Sequence, residues 1–220
     1  QTGKRHVKSY RSITIDNQFP GTSVLKNEGV YLITGGTGGI GKLLADYLLE
    51  DTTRHIILAG RSSEKDIMPS LPSHESVSYY QCDISDSDSV LALIDKIKST
   101  YGKLDGIFHC AGVTMGNMLE NKNKEEVEAV FSSKISGVKQ LDKFSGVFDL
   151  DFTVLFSSVL SLFGNIGQSD YSSANAYMDQ YATRTMSKTG SKVISINWPL
   201  WESGGMTVDV ETRRYMEKYW

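Results

Sequence analysis

The chain has 220 residues, 40% hydrophobic and 22% charged, a composition that suits one α/β domain with a buried core and argues against disorder. The net charge of -3 gives no general basis for binding nucleic acid or an anionic membrane. No apolar run reaches the roughly 18 residues that cross a bilayer and no secretory leader is evident, so we expect a soluble, cytoplasmic protein.

The two cysteines, Cys82 and Cys110, follow apolar, strand-like runs and have no CxxC or Cys/His spacing around them. We therefore expect reduced thiols, and no motif predicts a bound metal.

Six short apolar runs, rich in β-branched and aromatic residues, alternate with longer helical stretches. Apolar strands of this kind are typical of a parallel sheet covered on both faces, because each crossover needs a helix. The predicted fold class is therefore α/β, a Rossmann-type doubly wound parallel sheet with helices on both faces. The runs are VYLIT (30–34), IILAG (56–60), VSYYQC (77–82), GIFHC (106–110), FTVLFSS (152–158) and KVISIN (192–197).

Helical periodicity follows Ile40, covers residues 88–102 and 124–144, and runs from Tyr171 to about Lys188. Before the first of these helices, the run RSITI (11–15) predicts a strand ahead of the core sheet. Both ends of the chain look like parts of a larger unit.

A glycine-rich turn, TGGTGGIG (34–41), lies between the first strand and the first helix. Glycines allow a backbone to approach a pyrophosphate, which the amides and dipole of a helix N-terminus stabilise. Such turns also close strands onto helices for packing alone, but this context favours a nucleotide site. Its candidate residues are Gly35, Thr37, Gly38, Gly39, Ile40 and Gly41.

The second strand ends in LAGRSS, at the position that faces the adenosine ribose in dinucleotide folds. An acidic residue there would bind a free 2'-hydroxyl. Arg61 instead offers a forked cation, with Ser62 beside it, which suits a 2'-phosphate. A surface arginine in a loop is the alternative, and the adjacent glycine turn favours NADPH over NADH.

The next two strand ends supply further cofactor candidates. CDISD places Asp83 and Ile84 where adenine would lie, although capping of the following helix is a competing role for Asp83. In HCAG, the small residues Ala111 and Gly112 would let the cofactor pass close to the backbone.

Tyr171 opens a run of small residues in SDYSSANAYMDQY (169–181). A free tyrosine with a pKa near 10 is a weak acid catalyst at neutral pH unless a nearby cation lowers its pKa. Lys134, on the helix before the strand that ends FSSVLS, could reach the sheet edge. Ser158 could donate to a carbonyl, and Asn175, one turn after Tyr171, could hold a water between lysine and tyrosine.

Seven motifs together resemble the ketoreductase domain of modular polyketide synthases, a branch of the short-chain dehydrogenase/reductase superfamily. In this branch the usual lysine and asparagine positions are exchanged, so the resemblance implies the tetrad Lys134, Ser158, Tyr171 and Asn175. The spacing favours Ser158 over Ser157, which would then be strand packing. The motifs are TGGTGGIG, AGRS, CDISD, HCAGV, SKISGVKQLD, FSSVLSLFGNIGQSDYSSANAYMD and NWPLWESGGM.

The resemblance also implies a division of the chain. Residues 1–29 would be a linker and the remnant of an upstream structural subdomain, and 30–200 the NADPH-binding catalytic domain. Residues 201–220, including Trp201 and Met206, would form a substrate lid whose closing elements are missing, although they could instead pack on the missing part. The implied partners are an acyl carrier protein carrying the β-ketoacyl chain and neighbouring synthase domains.

Stereochemical markers of the family are mostly absent. The loop that can carry an aspartate reads Thr114, Met115, Gly116, and the position of the marker tryptophan is Phe163. The pattern leans to the A-type, L-hydroxy product. Gln168, which stands where some A-type enzymes have histidine, says little about the α-substituent.

Two alternatives stay open. One is a free-standing short-chain alcohol dehydrogenase or fatty-acid-type reductase acting on small substrates. The other is a non-reducing structural or epimerising domain, although the tetrad and the glycine loop are both intact.

Overall fold

A computed structural model describes residues 11–12, 23–51, 53–67, 71, 74–189, 192–201, 204–205 and 214, without the side chains of 187–189. Residues 13–15 of the predicted upstream strand and most of the segment 201–220, including Met206, lie outside these ranges.

Six strands form one fully parallel sheet in the order β3-β2-β1-β4-β5-β6. All six predicted strands and the predicted fold class are confirmed. The order changes direction between β1 and β4, which is where doubly wound sheets bind their ligands. The strands are β1 (Val30–Thr34), β2 (His55–Gly60), β3 (Val77–Gln81), β4 (Gly106–His109), β5 (Phe152–Ser158) and β6 (Val193–Trp198).

Helices connect the strands and cover the sheet. None of the helices in the described ranges has the length and apolar character of a bilayer-crossing segment. The helices are α1 (Gly39–Leu48), α2 (Glu64–Ile67), α3 (Ser87–Tyr101), α4 (Lys124–Phe131), α5 (Gly137–Ser145), α6 (Leu160–Phe163) and α7 (Ser169–Thr189), with a 3-10 turn at Leu119–Asn121.

The helix predicted over 124–144 needs a correction. A π-helical turn, Ser132–Ser136, separates α4 from α5. Hydrophobic periodicity does not reveal such a turn, because the apolar positions on either side still face the sheet. The short helices α2 and α6 were not predicted either, since four residues are too few to show a period.

Alternating strand residues build a core on each face of the sheet. Leu32, Ile57, Ile107 and Leu155 pack on the face covered by α3, α5 and α7. Tyr31 and its alternating neighbours pack on the opposite face with α1. Burial on both faces explains why the strands are continuous apolar runs, and it leaves the carboxyl edge of the sheet for polar residues.

Candidate active site

The glycine turn lies at the carboxyl end of β1. Gly35 has a φ of 68°, and a Cβ there would be 2.6 Å from the Cα of Ala111. A Cβ on Gly41 would be 2.6 Å from the carbonyl oxygen of Gly35, so the turn and α1 meet at backbone distance. Gly39 lies against the carbonyl of Gly204, from the segment that follows β6.

The N-terminus of α1 suits an anionic ligand. No side chain caps it, and its first turn contains no acidic residue. Its first amides are therefore free of intrahelical and side-chain partners, and the dipole there favours negative charge. These features fit the pyrophosphate of a dinucleotide, as the sequence predicted.

Two side-chain hydrogen bonds fix the backbone just after β2, at Arg61 and Ser62. Gln81 Nε2 donates to the Arg61 carbonyl at 3.0 Å, and the hydroxyl of Tyr79 donates to the Ser62 carbonyl at 2.6 Å. The side chain of Arg61 is exposed and forms no ion pair within the described ranges. The guanidinium is thus exposed beside the end of β2, with the carboxylate of Asp83 near enough to feel its charge.

Asp83 does not cap the following helix. Its Oδ1 accepts hydrogen bonds from the backbone and the hydroxyl of Ser85, while Asp86 is the N-cap of α3. Burial raises the pKa of Asp83, but the Ser85 hydrogen bonds and nearby Arg61 outweigh it and lower the pKa overall. The competing capping role is therefore excluded, and Asp83 is held as a carboxylate at the β3 end. Ile84 beside it is buried.

Lys134 projects from the π turn into the interior, where it is only 3% exposed. Its Nζ donates to the carbonyl of Phe156 on β5 at 3.0 Å and lies 5.4 Å from the ring centroid of Tyr171. Burial lowers the pKa of Lys134 to about 8. Single π turns often occur at functional sites, and this one carries the predicted cation to the end of β5.

Tyr171 and Asn175 occupy consecutive turns of α7, as expected. Tyr171 is 9% exposed and Asn175 is fully buried. Asn175 Nδ2 donates to the Tyr171 carbonyl at 2.7 Å, and its Oδ1 has no hydrogen-bond partner among the described residues. An unpaired buried acceptor of this kind is suited to a bridging water.

The expected effect of Lys134 on the phenol is not found in this structure. Burial raises the pKa of Tyr171, and interactions with Asn175 and Ser158 only partly oppose it. The reason is geometric, since the ammonium pairs with the Phe156 carbonyl and faces the ring. The phenol is therefore protonated at neutral pH.

The two serines at the end of β5 have different surroundings. Ser157 is buried, donates to the Asn175 carbonyl at 3.3 Å and accepts from Asn197 Nδ2. Ser158 is half-buried, accepts from the Leu160 amide at 3.2 Å and acts to lower the pKa of the Tyr171 phenol against the larger effect of burial. Ser158 is therefore the more exposed of the two serines, and its catalytic role stays a prediction.

The predicted substrate residues in the described ranges lie in loops and short helices near the ends of β4, β5 and β6. Gln168 Nε2 donates to Thr114 Oγ1 at 3.1 Å, which joins the loop after β4 to the start of α7. Phe163 is 69% exposed at the end of α6. Trp201 packs on Trp198, with ring centroids 4.9 Å apart. Met115 and Gly116 are exposed in the same loop as Thr114.

Sequence reasoning missed Asp179, which lies two turns after Tyr171. Its carboxylate accepts from Ser161, Ser195 and Asn197, at 2.6, 2.6 and 2.9 Å. These bonds outweigh the effect of burial and lower the pKa of Asp179. The network ties α7 to α6 and β6. Asp179 and Ser161 lie in the motif that contains Tyr171, but their contact joins residues 18 positions apart, which the motif itself does not indicate.

A family model described as KR domain matches residues 29–203. The chain belongs to the KR-domain family. Polyketide synthase PksN of Bacillus subtilis strain 168 is 39% identical over 97% of this chain, which spans only 4% of PksN. The match to this synthase and to the first structure below identifies a ketoreductase domain of the polyketide-synthase type.

Solved structures agree with this assignment. A ketoreductase domain from the bacillaene assembly line is 41% identical with a TM-score of 0.78, covering 86% of this chain and 48% of that one. A short-chain dehydrogenase/reductase from Brucella melitensis, 19% identical, shares the fold with a TM-score of 0.72 over 80% of this chain and 77% of that one. The chain is thus an oxidoreductase of the ketoreductase type, and its fold implies a nicotinamide cofactor.

Gly112 gives a direct test of the lysine's position. A Cβ at Gly112 would lie 2.8 Å from Lys134 Cε and 3.2 Å from its Nζ, so this glycine makes room for the lysine. We expect Gly112→Ala to displace the ammonium and lower ketoreductase kcat about 10- to 100-fold. Steady-state kinetics check this, with Gly146→Ala as the control, because a Cβ at Gly146 makes only ordinary contacts. Unchanged kcat in Gly112→Ala would contradict the packing argument.

Proposed function

We propose that this domain reduces the β-keto group of an acyl chain carried as a thioester on an acyl carrier protein, using NADPH, to give the β-hydroxyacyl thioester. The observation that carries the proposal is the buried cluster at the end of β5. There Lys134, Tyr171 and Asn175 are buried, with Lys134 Nζ 5.4 Å from the Tyr171 ring centroid, and Ser158 is the last residue of β5. The cluster lies beside a glycine turn suited to a dinucleotide.

The four tetrad residues would each have a role at the oxygen of the substrate's β-keto group. The nicotinamide, when bound, supplies a hydride to the β-carbon. Ser158 and Tyr171 would donate hydrogen bonds to the substrate oxygen, where negative charge develops. Tyr171 would then transfer its phenolic proton to that oxygen, and Lys134 and Asn175 would stabilise and reprotonate the phenol. Gly35, Gly38, Gly39 and Gly41, with the N-terminus of α1, would hold the pyrophosphate.

The protonation state of Tyr171 supports the reductive direction. Burial raises its pKa, so the phenol carries its proton at neutral pH. Reduction creates an alkoxide, a far stronger base than a phenolate, which can take that proton. Alcohol oxidation would instead require a tyrosinate as base, a form this environment disfavours. The protonated phenol is thus the form that reduction needs, and turnover of carrier-bound against simple substrates is what separates the synthase domain from a free-standing alcohol dehydrogenase.

Arg61 supports NADPH as the cofactor. Its exposed guanidinium at the β2 end would bind a 2'-phosphate with charge-assisted hydrogen bonds. We expect Arg61→Ala to raise the KM for NADPH about 10- to 100-fold and to leave the KM for NADH nearly unchanged. Coenzyme kinetics check this, with Lys65→Ala, an exposed cation on the adjacent helix, as control. Equal losses for both coenzymes would refute a role in recognising the phosphate.

The carrier-bound substrate and the A-type product are parts of the same proposal. PksN and its relatives are polyketide synthases by name, so neighbouring synthase domains and a carrier protein are natural partners. The loop Thr114–Gly116 lacks an aspartate, and Phe163, an exposed ring at the end of α6, takes the position of the marker tryptophan. This pattern favours the L-hydroxy product.

The experiment is NADPH oxidation by the full-length protein with three substrates. These are a β-ketoacyl carrier protein, the same acyl group as a small thioester and a simple cyclic ketone, followed by chiral analysis of the alcohol. We expect the carrier-bound substrate to react fastest and to give mainly the L-hydroxy product. Equal rates with the simple ketone would favour a free-standing reductase. NADPH binding without oxidation would favour a non-reducing domain.

A further inference from the structure

An enclosed ion pair lies next to the catalytic tyrosine. Lys122 Nζ is 3.0 Å from Asp170 Oδ2, and each side chain is only 2% exposed. The other ion pairs in the described ranges each have a side chain at least 27% exposed. Burying two charges costs several kcal/mol per ion before their attraction is counted, so such a pair is weak as a stabilising device.

Each partner also binds a backbone group near the reacting centre. Asp170 Oδ1 accepts from the amide of Tyr171 at 2.9 Å. Lys122 Nζ donates to the carbonyl of Met115 at 2.6 Å. The pair therefore links the residue that bears the phenol to the loop after β4.

Two neutral contacts run beside the ion pair. The Asn117 amide donates to the Gly167 carbonyl at 3.0 Å, and Gln168 Nε2 donates to Thr114 Oγ1 at 3.1 Å. Three interactions, the ion pair and these two hydrogen bonds, therefore join residues 114–122 to residues 167–171. Among these three the ion pair is the charged link and the most enclosed, so it should resist solvent competition best.

We propose that Lys122 and Asp170 are positioning residues that fix the loop 114–118 relative to the Tyr171 phenol. By holding this loop, they set which face of the β-carbonyl is presented for reduction. The inference rests on the proposed function, because it concerns the same substrate. It follows from the need to hold reacting groups within about 3–3.5 Å in a defined orientation.

The test compares Lys122→Met, Asp170→Asn and the double variant in the full-length protein. Single variants leave a buried charge without its partner and can fail to fold, whereas the double variant removes both charges. We expect the double variant to bind NADPH normally, to lose about 10- to 100-fold in kcat/KM for the β-ketoacyl thioester, and to give a lower ratio of major to minor alcohol configuration. A merely structural role would reduce the amount of folded enzyme without changing this ratio.

The matched control is Lys124→Met with Glu128→Gln, an exposed ion pair with Nζ–Oε1 at 3.4 Å on the neighbouring helix. It should leave the product ratio and kcat/KM unchanged. A double variant at Lys122 and Asp170 with wild-type kinetics and product ratio would overturn the inference, provided that the wild type reduces the substrate.

A second readout does not depend on catalysis. Hydrogen exchange followed by mass spectrometry should show faster exchange of the Asn117 and Tyr171 amides in the double variant, because the bonds that protect them loosen. Unchanged exchange would overturn the inference even if the wild type reduces no ketone. A wild type that binds NADPH but reduces nothing would count against the proposed function alone.

Discussion

Replacing Tyr171 by Phe should abolish reduction of the β-ketoacyl thioester while leaving NADPH binding intact. The substitution removes the proton donor and one hydrogen bond to the developing oxyanion, each of which typically contributes at least about 100-fold. We expect kcat to fall at least about 1000-fold. The ring itself remains, so the packing of Tyr171 in the small cluster with Val130 and Ala174 is kept. Turnover by NADPH oxidation and binding by fluorescence titration together check the prediction.

Tyr177→Phe is the matched control for this experiment. Tyr177 lies on the same helix, is half-buried, and faces Lys139 rather than Lys134. The same oxygen atom is removed from the same kind of side chain, so kcat should stay near the wild-type value. Substantial turnover in Tyr171→Phe would mean that another group supplies the proton, and the assignment of the tetrad would fail.

The architecture was predictable because strand burial leaves a strong local signal. Residues such as Leu32 and Ile57 are buried against helices, and their neighbours in the same strands are buried on the other face. Continuous apolar runs follow directly from this arrangement. The glycine turn was equally readable, because only glycine fits a φ of 68° at Gly35 with a backbone 2.6 Å from its Cβ position.

The site was less completely predictable because its details depend on contacts between distant segments. The π turn that carries Lys134 leaves the hydrophobic pattern unchanged, so one helix was expected where three helical segments exist. Gly112 was interpreted as space for the cofactor, but its missing Cβ also makes room for Lys134. The pair Lys122 and Asp170 is separated by 48 residues; Asp170 lies in the motif that contains Tyr171, but Lys122 lies in no motif, so the sequence does not show that they meet.

Replacing Lys134 by Met should lower kcat without lowering the free energy of unfolding. The ammonium is buried, and burial lowers its pKa from 10.5 to about 8. At about 1.4 kcal/mol for a tenfold change, keeping the charged form inside the protein costs on the order of 3 kcal/mol at neutral pH. Methionine has a similar shape without the charge, so the free energy of unfolding at pH 7 should stay level or rise. Denaturant unfolding of the variant and the wild type at pH 7 checks this.

The difference in the free energy of unfolding between the wild type and Lys134→Met should depend on pH. The unfolded chain keeps the lysine proton up to about pH 10.5, whereas the folded chain loses it near pH 8. The unfolded state therefore binds more protons between these values, and the stability of the wild type should rise with pH across that window. The cost of the buried charge is fully present below about pH 8, so any advantage of Lys134→Met should be largest there and shrink by pH 10.

The Lys134→Met variant should also lose activity, although its free energy of unfolding does not fall. Without the ammonium, the site lacks the group proposed to reprotonate the phenol of Tyr171 after proton transfer, and kcat should fall about 100-fold or more. In the wild type, kcat/KM, which reports on the free enzyme, should decline as pH rises through about 8, where Lys134 loses its proton. That decline should be absent in Lys134→Met and present in Lys139→Met, which removes an exposed lysine from the adjoining helix. A wild-type profile that stays flat from pH 7 to 9 would show that the charge on Lys134 does not govern the reaction, and the lysine would then act through its hydrogen bond to Phe156 alone.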